Sequence, residues 1–107
     1  MTLAELFAQL TGKTVIQKEE HCQGLIGCEI EIVGRIGEIY SNLIGLRGIV
    51  DLPSDATIDV FHDGKLRQQL LILAQHDAVK LAARLRYVDF GRRTMMVFDL
   101  SSIVKQA

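Results

Sequence analysis

Cationic and aromatic side chains interleave most densely between Lys80 and Arg93. Lys80, Arg84, Arg86, Arg92 and Arg93 stand there against Asp89 alone, with Tyr87 and Phe90 among them. Guanidinium groups can neutralise phosphates or stack on planar rings, and aromatic faces can stack on bases. The chemistry within reach of such a stretch is recognition of a polyanion, not bond making. A counterweight lies earlier in the chain, where Glu19, Glu20, Glu29, Glu31 and Glu38 face only Lys18 and Arg35.

Other reactive side chains form no comparable pattern. His21, Cys22, Cys28, His62 and His76 lack the close cysteine spacing of a zinc knuckle, so no metal is expected. Asp59 with His62, or His76 with Asp77, offers an acid–base pair on paper, but adjacency alone gives no convergent geometry. No phosphate loop, nucleophile elbow or metalloprotease motif is present. The expectation is a protein that is not an enzyme and uses no cofactor.

These residues must be positioned by a small fold. Thr2 and Glu5 fit a capping box ahead of a helix in which Leu3, Leu6, Phe7 and Leu10 share one face, and Gly12 suits its end. That face either packs on its own domain or is a protein-interaction surface docking on another subunit. Residues 13–27 read as a polar connector, with Thr14 to Ile16 as a possible short strand. Cys28 to Ile36 alternates, placing Cys28, Ile30, Ile32 and Ile36 inward, and Gly34 and Gly37 suggest a kink in that strand. Tyr40-Ser41-Asn42 makes a turn. Strands over Leu43 to Leu52 and Ala56 to His62 follow, separated by Pro53-Ser54-Asp55. Lys65 to Gln75 changes to a helical period of about three turns. Val79 to Tyr87 alternates again with odd positions inward. A turn over Asp89 to Arg93 then leads into a last strand from Thr94.

Three strands, a helix and a hairpin is the order of an OB-fold, a five-stranded partly open Greek-key barrel. The run Leu73-Ala74-Gln75-His76-Asp77-Ala78-Val79-Lys80-Leu81, with the glycine kink in the first strand, resembles OB domains of the tRNA anticodon-binding type. The resemblance covers residues 28–104 and rests on patterns, not fixed residues. It implies a mostly β domain with an added N-terminal helix. It also implies a ligand face over strands 2 and 3, flanked by the loops joining strands 1–2 and 4–5. Carried onto this chain, that face holds Tyr40, Asn42, Arg47, Phe61, Phe90, Arg92 and Arg93, suited to single-stranded DNA or RNA. Strand 1 would lie beside strand 4, so ion pairs of Glu29 and Glu31 with Arg84 and Arg86 explain those charges without a ligand.

Composition limits these readings. The 107 residues are enough for one domain with a core, and 49% hydrophobic content argues against disorder. A net charge of −1 is unlike a general polyanion binder. It keeps open a protein-interaction or assembly domain that forms an oligomer without nucleic acid. Two cysteines make no disulfide framework. Leu70 to Ala74, the longest apolar run, is far too short to span a bilayer, and no basic leader precedes it. A cytoplasmic location with reduced thiols is the expectation.

Overall fold

Alternating burial along residues 29–39 makes the first wall of the molecule. In the computed structural model, which describes residues 1–106, strand β1 (Glu29–Ile39) buries Ile30, Ile32 and Ile36 and leaves Glu29 and Arg35 exposed. Four further strands follow: β2 (Leu43–Arg47), β3 (Ala56–Phe61), β4 (Ala78–Phe90) and β5 (Thr94–Lys105). They close into a barrel in the order β1-β2-β3-β5-β4. The β3–β5 pair is parallel and the other pairs are antiparallel. This mostly β barrel, with a helix between its third and fourth strands and another at its N-terminus, is compatible with an OB-like fold.

The expected kink lies in β1, where pairing with β2 slips between Ile36 and Glu38. Asp77 and His76 bind the other side of this point, through Ile36 N–H to the Asp77 carbonyl and His76 N–H to the Ile36 carbonyl. A bulge of this kind bends the strand around the barrel. At Gly34 an added Cβ would come within 3.2 Å of the Arg47 carbonyl oxygen. The bare backbone there lets the chain after β2 lie down on β1, and Val50 N–H reaches the Val33 carbonyl at 2.8 Å.

That swing shortens β2, which ends at Arg47 instead of running to Leu52. The backbone turns to positive φ at Gly48 and Asp51, and Val50 is left exposed. The swing also parts β2 from β3. Their ladder holds only Leu43↔Phe61 and Ile44↔Val60, continued at one end by His62 N–H to the Asn42 carbonyl. The next rung in that alternation, Leu46 opposite Ile58, is not made.

Three helices complete the molecule: α1 (Leu3–Leu10), α2 (Val15–Gln23) and α3 (Arg67–Leu71). Thr2 caps α1 by accepting the Glu5 N–H at 3.2 Å. Leu3, Leu6 and Leu10 are buried in the same core as Ile30, Leu81, Leu85, Met96 and Phe98, with Phe7 packed against it. The face expected as a possible docking surface is therefore spent on the chain's own barrel, because its leucines meet the apolar core there. The expected connector contains α2. Thr14 and Gln17 close a full capping box at its start, and Cys22 is buried, where burial pushes its thiol pKa up. Helix α3 is much shorter than three turns. The Asp77 carboxylate takes the Ala74 N–H at 2.8 Å, and His76 turns to positive φ, so the chain leaves the helical path.

Candidate nucleic-acid interface

Two loops bracket the β2–β3 wall. Tyr40, Ser41 and Asn42 turn between β1 and β2, and Phe61 stands beside this loop, opposite Leu43. At the other end of β3, Ala56 pairs with Thr94, so the β4–β5 tip carrying Arg92 and Arg93 lies there. The wall between them is six residues of β3, roughly 16–20 Å of extended chain.

Tyr40 is 56% exposed, and Asn42, Arg47, Arg92 and Arg93 are exposed too. The Tyr40 carbonyl accepts a bond from His62 Nε2 at 2.9 Å, which fixes the loop without using the phenol ring. Arg93 donates weakly to the Ser54 carbonyl at 3.4 Å. Among the described residues, none of these three arginines is ion-paired with a carboxylate.

The other two aromatic candidates are placed differently. Phe90 belongs to β4, not to the turn, and is only 8% exposed. Lys18 of α2 sits 5.9 Å over its ring. The register of β4 shifts between Leu85 and Tyr87, so the expected inward Tyr87 is 51% exposed and Phe90 takes an inward place. One added residue in a strand exchanges its faces. A ring that fills the core cannot stack on a base, which removes Phe90 from the exposed surface. Phe61 is half-buried and already covered by the Arg86 guanidinium, 4.9 Å from its centroid. Arg86 Nε donates to the two Asp99 carboxylate oxygens at 3.1 and 3.0 Å, and Nη2 donates to Oδ1. This fork holds the Asp99 carboxyl below its ordinary range.

The expected ion pairs of Glu29 and Glu31 with Arg84 and Arg86 are not made among the described residues. Glu29 lies opposite Arg84 in the β1–β4 register, as expected. Glu31 instead pairs with Lys80 at 2.9 Å, and Arg86 turns to β5. The β1–β4 register puts Lys80 nearer to Glu31, and Asp99 lies opposite the neighbouring Arg84.

Three features escaped sequence reasoning. Arg35 stands directly opposite Arg47 in the β1–β2 ladder, a pairing that only the register reveals. Tyr87 is outward because of a bulge that leaves no mark in the residue pattern. A groove of about 430 Å³ opens between α3 and the β1–β2 loop, lined by Tyr40, His62, Arg67 and Leu71 among others. Leu71 on its lining is 63% exposed, and Ile72, just past the early end of α3, is 75% exposed. Among the described residues no three histidine, cysteine or acidic side chains come together as a metal site would need. Among the described residues no helix is long and apolar enough to cross a membrane. No protein-family model, curated protein or solved structure matches the chain.

Proposed function

We propose that the chain is a small non-enzymatic binding module that holds single-stranded nucleic acid on the outer face of its barrel. The observation that supports this most is the exposure of Tyr40, Asn42, Arg47, Arg92 and Arg93 around one wall of an OB-ordered barrel. The three arginines have no carboxylate partners among the described residues. Tyr40 supplies a stacking platform, and the guanidinium groups supply phosphate contacts. Asp59 lies on β3 of the same wall and Asp99 on the neighbouring β5, so the surface is mixed in sign and its binding is weak and salt-sensitive. The likeness of residues 28–104 to anticodon-binding-type OB domains makes RNA the first strand to try.

A second reading has its own support. Tyr40 and Leu71 are exposed apolar side chains on the lining of the α3 groove, and Ile72 is exposed just past the end of α3, which suits a protein partner or a second copy of the chain.

Fluorescence anisotropy with labelled single-stranded RNA and DNA, at low and then raised salt, separates the two. Nucleic-acid binding weakens steeply with salt, and Tyr40→Ala costs about 1–3 kcal/mol if one base stacks there. The double change Arg92→Ala/Arg93→Ala weakens it further. No binding at low salt, with light scattering showing a stable dimer or larger, sinks the nucleic-acid reading and leaves the assembly module.

A further inference from the structure

We propose that Arg35 and Arg47 together form a phosphate site on the β1–β2 wall. The proposal rests on the nucleic-acid reading and deepens it by placing one phosphate of the bound strand. The two residues are directly opposite in an antiparallel register. Such partners share a face, with Cα atoms about 4.5–5.5 Å apart, and like charges there repel. Two exposed cations of the neighbouring strand β4 have found acids, Lys80 with Glu31 and Arg86 with Asp99, whereas among the described residues Arg84, Arg92 and Arg93 have not. Among the described residues Arg35 and Arg47 have none. Glu38, the next acid along β1, has its oxygens engaged by the Ile39 N–H and the Gln75 amide, each at 3.2 Å.

Arg35 is held by a bond, and the stem of Arg47 lies against the backbone. Arg35 Nη1 donates to the His76 carbonyl at 3.0 Å. Arg47 lies across Gly37, where an added Cβ would come within 3.1 Å of its Cγ and 3.2 Å of its Nε. The missing side chain at position 37 is the bed on which Arg47 rests. Pre-positioned arginines lose less freedom when they bind, and each presents a planar fork matched to phosphate oxygens. Two such forks from directly opposed positions on one face, neither ion-paired among the described residues, fit an anion offering several acceptor oxygens. A phosphodiester inside a strand and a phosphomonoester at its end both meet that description.

The test follows the arginine Nε–H resonances of the full chain by NMR while inorganic phosphate is added. Anisotropy is then measured on the unchanged chain and on Arg47→Gln, using single strands with and without a terminal phosphate. Urea unfolding of both proteins accompanies it. Phosphate should shift the Arg35 and Arg47 signals at lower concentration than those of Arg92 and Arg93. Arg47→Gln should weaken strand binding about tenfold and lower the slope of log affinity against log salt by about 0.7. Its urea midpoint should hold or rise, because a repulsion is relieved. Gly37→Ala keeps both charges but displaces Arg47, and should blunt the phosphate response. Tighter binding of the end-phosphorylated strand assigns the site to a terminus, and equal binding assigns it to an internal phosphate. A phosphate response without strand binding keeps the site and overturns the nucleic-acid reading. Strand binding unchanged in Arg47→Gln, or arginine signals that phosphate does not move, overturns the site itself.

Discussion

At the scale of single residues, side-chain chemistry was legible and side-chain company was not. Arg86 was visible as a cation on an outer face, and it does point outward. Its partners, Asp99 and the Phe61 ring, come from strands brought together only by the barrel. Phe90 and Tyr87 exchange the environments their positions suggest because a bulge carries no residue signature. Asp77 is another residue whose role is tertiary. Its carboxylate accepts the Ala74 N–H and pairs with Lys105 at 3.5 Å. First the backbone bond, then the Lys105 charge, hold its pKa below the ordinary 3.8. A carboxyl with a lowered folded-state pKa contributes stability that is fully present above the unfolded value and lost as pH falls through the folded one. Urea midpoints should therefore decline below pH 3.8, the unfolded value. Asp77→Asn, which keeps an acceptor but no titration, should flatten that decline. An unchanged acid profile in Asp77→Asn would assign the loss to Asp63 and Asp99, which are lowered in the same direction.

At the scale of elements, periodicity served best where burial was one-sided and long. Strands β1 and β3, the first half of β4 up to Leu85, and helix α1 follow their apolar patterns closely. Helix α2 was missed although Thr14 and Gln17 have capping-box spacing, because its body is polar and presents almost no apolar stripe. Helix α3 and strand β2 were drawn too long for the opposite reason. Their apolar residues continue past the element, and Leu71, Ile72 and Val50 end up exposed. The helices that cover the barrel make a direct prediction. Leu6 is fully buried, so Leu6→Ala should cost about 2–5 kcal/mol in urea unfolding. Thr14→Ala, which removes one cap from a surface helix, should cost about 1 kcal/mol. A Leu6→Ala cost below that of Thr14→Ala would mean that α1 does not share the barrel's core.

At the scale of the whole molecule, strand order was readable because three strands, a helix and a hairpin leave few closed arrangements. The ligand surface was readable only in part, since it depends on which charges the closed barrel cancels. Lys80 and Arg86 are cancelled by acids on neighbouring strands, while Arg35 and Arg47 are left facing each other. The unmade rung between β2 and β3 has a consequence in time as well as in space. A ladder of two pairs is the barrel's least cooperative joint, so breathing motions should begin there. In native-state hydrogen exchange the amides of Leu46 and Ile58 should trade their protons well before those of Ile32 or Leu81, which sit in the long β1–β4 ladder. Equal protection across the two joints would show that the barrel opens only as a unit. Early exchange would mark a gap that the wall can widen and close without unfolding.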